Sequence, residues 1–101
     1  MDTEFDAIVI GAGQSGPSLA VRLAHAGHTV ALVERRGLGG TCVNVGCVPK
    51  KLFVYASEFG AAFREAAGFG FTVPTPTFDW PTLVRNKDAE ITRLNGIYEN
   101  L

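Results

Sequence analysis

The sequence predicts an α/β fold that opens with a parallel βαβ unit and continues into long helices. Three observations predict it. Phe5 to Ile10 (FDAIVI) is a short apolar run that halts at Gly11. Gly11-Ala12-Gly13-Gln14-Ser15-Gly16 follows, and then a helical pattern begins. Thr29 to Val33 (TVALV) is a second β-rich run, ending on Glu34. Strand, glycine turn, helix and strand in about thirty residues make a βαβ unit, whose crossover is right-handed by the usual chirality.

Each element has a local cause. The first run is apolar at successive positions, so it reads as a parallel strand buried on both faces. Pro17 suits a first helical turn, where a missing N–H costs nothing. Leu19, Leu23 and Ala26 share one helix face, and Gly27 supplies the stop. Arg35 to Thr41 is a glycine-rich loop. A second helix is expected from about Cys42 to Ala67, with Gly46 and Pro49 distorting its first turns. Gly68 to Phe78 is a proline-containing connection. Asp79 can cap a third helix that tolerates Pro81 near its start. Val84, Ile91, Leu94, Tyr98 and Leu101 then recur at helical spacing.

Composition bounds the function. The chain has 101 residues, 9 basic and 10 acidic side chains and a net charge of −1, so it carries no basic stripe for nucleic acid. No apolar run approaches the roughly 18 residues of a membrane span. Asp2, Glu4 and Asp6 oppose the positive start of a targeting peptide, so a cytoplasmic protein is expected. Two cysteines with distant His25 and His28 make no metal set. Two parallel strands with apolar faces need further strands and helices to cover them, and the third helix pattern runs to the last residue. The chain therefore reads as the N-terminal portion of a larger enzyme, with 1–101 belonging to one domain.

The glycine pattern at Gly11, Gly13 and Gly16 gains meaning from its place between a strand and a helix. Gly11 permits the tight turn, Gly13 a close approach of a pyrophosphate, and Gly16 close helix–strand packing. The diphosphate would lie on unpaired N–H groups at the positive helix end. Glu34 stands where an acid can accept hydrogen bonds from an adenosine ribose. This pattern alone does not separate FAD from NAD.

Cys42-Val43-Asn44-Val45-Gly46-Cys47 is the most informative segment. Residues five apart in an ideal helix have Cα atoms about 8.6 Å apart. A disulfide wants less than about 7 Å, so the pair closes only if the helix unwinds locally, which Gly46 and Pro49 allow. A strained bond at a helix start is reducible, and the helix N-terminus lowers thiol pKa values. A redox-active pair is the better reading; a structural disulfide is the bland alternative.

The stretch Leu38-Gly39-Gly40-Thr41-Cys42-Val43-Asn44-Val45-Gly46-Cys47-Val48-Pro49-Lys50-Lys51 resembles the redox segment of the class I pyridine nucleotide-disulfide oxidoreductases, the flavin-dependent disulfide reductases. The resemblance covers nearly the whole chain. It implies the start of a Rossmann-like FAD-binding domain, incomplete as it stands. FAD would be held by Gly11, Gly13, Gln14, Ser15, Gly16 and Glu34, with Thr41 and Cys42 lining the flavin. Cys42 would be the interchange thiol that attacks the substrate disulfide, and Cys47 the thiol facing the flavin. Lys50, one turn beyond Cys47, would reach the flavin ring and favour its reduced form; otherwise it is an ordinary surface lysine.

Within the family, Val48-Pro49-Lys50-Lys51, Phe78-Asp79-Trp80 and Arg93-Leu94-Asn95-Gly96-Ile97-Tyr98 look like the glutathione reductase branch. That implies electrons from NADPH, glutathione disulfide as substrate, and Tyr98 beside it. Spacing alone would equally make Tyr98 a core aromatic. Gly11 to Ala20 instead resembles mercuric-reductase-type flavoproteins, with Gln14-Ser15 for the Ser-Gly common in glutathione reductases and Val21 where some have arginine. A mercuric reductase or lipoamide dehydrogenase-type enzyme is thus the alternative within the family, and a dinucleotide-binding redox switch the alternative outside it. The family's nicotinamide-binding and interface domains are not in this chain. The interface domain carries a catalytic His–Glu pair supplied by the partner subunit of a homodimer. Residues 1–101 alone are expected not to turn over.

Overall fold

The computed structural model describes residues 3–101, so Asp2 of the acidic start lies outside the described residues. The elements in order are β1 (Ala7–Ile10), α1 (Gly16–His25), β2 (Val30–Val33), α2 (Gly40–Val45), α3 (Cys47–Glu65), a 3₁₀ turn (Ala66–Phe69) and α4 (Trp80–Glu99). No helix among the described residues is long and apolar enough to cross a membrane.

β1 and β2 are parallel neighbours, paired from Ala7 opposite Val30 to Ile10 opposite Val33. Further bonds extend the ladder beyond both ends: Ala7 N–H donates to Thr29 O at 3.1 Å, and Gly11 N–H to Val33 O at 2.7 Å. The strand starts later than Phe5 for a local reason. Thr29 N–H donates to Asp6 Oδ2 at 2.8 Å and Asp6 N–H to Thr29 Oγ1 at 2.9 Å, so side chains close the ladder there. These bonds from Thr29 hold the Asp6 carboxyl below its ordinary value.

α1 lies across the sheet face that carries Val9, the one strand residue that is buried. Gly16 makes this close approach possible, because a Cβ there would stand 1.9 Å from Gly11 O. The expectation of strands buried on both faces is corrected here. Ile8 and Ile10 point to the opposite face and are 63% and 87% exposed, since no element among the described residues covers it. Leu19 is likewise about half exposed, whereas Leu23 is half-buried.

The expected single helix from Cys42 to Ala67 is two helices. α2 stops at Val45, Gly46 adopts φ −126° and ψ −115°, and α3 restarts at Cys47. Pro49 sits in the first turn of α3, where its missing N–H has no helical partner to lose, and it is buried. α4 begins as its sequence requires, with Asp79 accepting from Thr82 N–H at 2.9 Å. It ends at Glu99 with Asn100 as its C-cap, so Leu101 lies beyond the helix and is exposed. Phe53 of α3 stacks on Trp80 with centroids 5.5 Å apart and rings 9° from parallel. Such pairs contribute about 0.5–1.5 kcal/mol beyond the area they bury.

The chain is elongated, 66 × 25 × 17 Å, with a radius of gyration of 20.5 Å. A compact domain of this length would have about 13 Å. The long helices α3 and α4 account for the difference. The buried apolar residues, Val9, Ala12 and Val43, lie instead where the glycine turn meets α2.

Gly16→Ala tests the helix–sheet approach. Overpacking of this kind costs about 1–3 kcal/mol or more. The full-length variant should show a lower urea midpoint with an unchanged slope; an unchanged midpoint would contradict the geometry.

Candidate functional site

The glycine turn and the redox segment meet through their backbones. A Cβ on Gly40 would lie 2.6 Å from Gly13 Cα, a distance no real Cβ tolerates. Gly40 also has φ +67°, in the left-handed region that favours glycine. Hydrogen bonds lock the contact: Gly39 N–H donates to Ala12 O at 2.7 Å, and Gln14 Nε2 donates to Gly39 O at 3.1 Å. Gln14, expected at the cofactor, thus spends its amide donor on the neighbouring loop.

Glu34 closes the same junction. Its Oε2 accepts from Ala12 N–H at 2.7 Å, and its Oε1 from Arg35 N–H at 2.8 Å and Arg36 N–H at 2.9 Å. The Ala12 and Arg36 amides chiefly hold its carboxyl below the ordinary value, with smaller help from Arg35. A carboxylate offers about four acceptor positions, so Oε2 retains room for one further donor.

α1 starts without help from a side chain. Ser15 occupies its N-cap with no side-chain hydrogen bond, and its first turn carries no acidic residue. The N–H groups at that end are therefore available to an anion, which the helix dipole favours. A Cβ on Gly11 would meet nothing within 4 Å, so the turn presents open space beside bare backbone. Gly11, Gly13, Ser15 and Gly16 fit a dinucleotide diphosphate on these grounds.

At the cysteine pair the backbone break is enforced by packing. A Cβ on Gly46 would come within 2.8 Å of Thr41 O and 3.1 Å of Cys42 Cα. Only a bare glycine lets the second helix restart so close to the first, and the break falls between the two cysteines. Both are free thiols, Cys42 half-buried and Cys47 exposed at the first position of α3. The expectation that the helix start lowers the thiol values is corrected for Cys42, which is raised. The cause is chiefly the hydrogen bond with Cys47, then burial, then the charge of Cys47; Lys50 acts weakly the other way. Lys50, exposed in the first turn of α3, is the cation that acts on Cys42.

Tyr98 is half-buried on α4 and, with Gly13, Gln14, Val21 and Leu38, lines an open groove of about 810 Å³. α4, which packs on α2 and α3, thus borders the same groove as the glycine turn. Thr41 is exposed at the start of α2, its carbonyl packed against Gly46. Among the described residues no three His, Cys, Asp or Glu side chains gather as a metal set would.

Two residues escaped the sequence reading. Asn44, between the cysteines, directs Nδ2 at Gly40 O (2.9 Å), Leu38 O (3.1 Å) and more distantly Gly37 O (3.4 Å). Its Oδ1 accepts from Asn95 Nδ2 of α4 at 3.0 Å. Asn95 Oδ1 is buried without a donor, a deficit that typically costs about 1–3 kcal/mol. The available signal was an amide side chain set between Val43 and Val45, and another on the apolar face of α4.

Two measurements test these electrostatics. After reduction with dithiothreitol, alkylation of Cys42 by iodoacetamide should rise at higher pH than for a free cysteine, and Cys47→Ala should move that rise downward. An unmoved profile would remove Cys47 as its cause. For Glu34 the folded carboxyl titrates below the unfolded value of about 4.5, so its stabilisation is present above that pH and is lost as pH falls through the folded value. The stability difference between the full-length protein and Glu34→Gln should therefore be widest near neutrality and shrink below about pH 4.

Residues 5–101 match the family model described as pyridine nucleotide-disulphide oxidoreductase. The chain is 49% identical over 98 residues to a glutathione reductase of Burkholderia cepacia, covering 97% of this chain and 22% of that relative. It is 46% identical to the glutathione reductase of Yarrowia lipolytica, covering 94% and 21%. It is 44% identical to the chloroplastic/mitochondrial glutathione reductase of Pisum sativum, covering 96% and 20%. The chain thus spans about a fifth of the length of these curated relatives. With a βαβ start, a glycine turn and a paired-cysteine helix break in the places described, this chain belongs to the pyridine nucleotide-disulphide oxidoreductase family, among whose members it resembles the glutathione reductases.

Proposed function

We propose that this chain is the N-terminal portion of the FAD-binding domain of an NADPH-dependent reductase of glutathione disulfide, working as a cytoplasmic homodimer. The observation that carries the reading is the helix break at Gly46, which pairs Cys42 with Cys47 while Gly40 presses the same segment against the dinucleotide turn. The similarity to glutathione reductases supports the choice of substrate.

The chemistry follows from the two sulfurs. The Cys42 thiolate attacks one sulfur of the substrate disulfide, forming a mixed disulfide and releasing one thiolate that takes up a proton. The Cys47 thiolate then attacks Cys42 Sγ, which expels the second thiol and closes the Cys42–Cys47 disulfide. Two electrons restore the dithiol, and the balance is one NADPH and one proton consumed per disulfide, with NADP⁺ and two thiols released. FAD, when bound, supplies the relay that accepts the hydride from NADPH and hands two electrons to the cysteines.

The residues of this chain divide that work. Interaction with Cys47 favours the protonated form of Cys42, so a base must take its proton before it attacks. Lys50 places a positive charge beside the pair where negative charge gathers. Bare N–H groups at the start of α1, around Gly13, Ser15 and Gly16, receive the diphosphate, with Gly11 leaving it room. The free lone pair of Glu34 Oε2 takes a ribose hydroxyl. Tyr98 offers a ring and a hydroxyl to a glutathione moiety in the groove it lines.

An anaerobic absorbance titration of the full-length protein with NADPH tests the reading. We expect a long-wavelength band as the reduced pair meets oxidised flavin, its loss in Cys47→Ser, and its persistence in Cys42→Ser, which should nevertheless lose glutathione disulfide turnover. Flavin bleaching without the band would show that the cysteines are not its electron acceptor. Turnover of mercuric ion or dihydrolipoamide in preference to glutathione disulfide would move the substrate assignment elsewhere in the family.

A further inference from the structure

We propose that Asn95 is a positioning residue for the redox pair, acting through Asn44; the inference rests on the redox reading above. Asn44 stands between the two cysteines, and its Nδ2 ties α2 to the loop carbonyls of Leu38 and Gly40. An amide can turn over and exchange its oxygen for its nitrogen. Asn95 Nδ2, donating to Asn44 Oδ1 at 3.0 Å, adds from α4 a bond that only this orientation of Asn44 accepts, beside those its own Nδ2 makes to the loop carbonyls. Turned over, Asn44 would aim its oxygen at the loop carbonyls and its amino group at that of Asn95.

The condition of Asn95 itself supports this role. Its Oδ1 is buried and has no donor, so the side chain is not a satisfied core amide. What it provides is the one bond to Asn44, made across 51 positions of sequence. The bond joins α4 to the segment that holds Cys42, and Tyr98 lies one helical turn further along α4. Through it the segment between the two cysteines is tethered to α4, and a tether of this kind favours the disulfide over the dithiol by raising a local concentration.

The test compares Asn95→Leu, Asn95→Asp and Asn95→Gln in the full-length protein. The fraction of dithiol is read by alkylation after equilibration in dithiothreitol redox buffers, beside kcat with glutathione disulfide and thermal midpoints. Leu and Asp cannot donate to Asn44. In both, the equilibrium should move about tenfold toward the dithiol, which is about 30 mV for a two-electron couple, and kcat should fall in step. Gln retains a donor and should lie nearer the parent. A lowered thermal midpoint with an unmoved equilibrium in Leu and Asp would overturn the proposal, and so would failure of all three to fold, since either makes the residue merely structural. A parent protein whose cysteines take no electrons from NADPH would sink the redox reading itself, a separate and recognisable result.

Discussion

Everything at this site depends on the backbone of Gly40 lying against the backbone of Gly13. Side-chain packing usually holds loops apart by several ångströms. Here two glycines let one loop rest directly on another, and Gly39 N–H to Ala12 O seals the contact. The consequence is a shared origin for two kinds of chemistry. The turn that opens α1 leaves bare N–H groups, and the stretch from α2 into α3 carries the thiols. Because peptide planes rather than flexible side chains join them, their separation is set rigidly.

A second use of bare backbone divides α2 from α3. An uninterrupted helix would carry Cys42 and Cys47 on positions too far apart for a bond. The break at Gly46 trades helical hydrogen bonds for proximity. The electrostatic result is asymmetric: Cys42, half-buried and bonded to its neighbour, keeps its proton, whereas Cys47 heads a helix of 19 residues at its positive end.

Hydrogen bonds from Glu34, Gln14 and Asn44 then do for the loops what a hydrophobic core does elsewhere. All three bind backbone groups of other segments, spanning 22, 25 and up to 7 positions respectively. This explains how an elongated chain with a very small buried core still presents an ordered site. It also explains why polar residues expected to face a ligand are partly engaged within the protein.

Much of this was legible in the sequence because its causes are local. The glycine spacing after an apolar run, Pro17 in a first turn, Asp79 as a cap and Gly46 between two cysteines each act through neighbours a few residues away. Those signals determined the βαβ start and the long C-terminal helix. Tertiary structure alone decided the rest. Which way the Cys42 thiol shifts depended on where a second sulfur sits once the helix breaks, and a helix-end rule could not supply that distance. The exposure of Ile8 and Ile10 depended on which elements cover the sheet, which apolar periodicity does not encode. The roles of Asn44 and Asn95 depended on α4 folding back across 51 positions, and an amide is silent in sequence until its partner is in place.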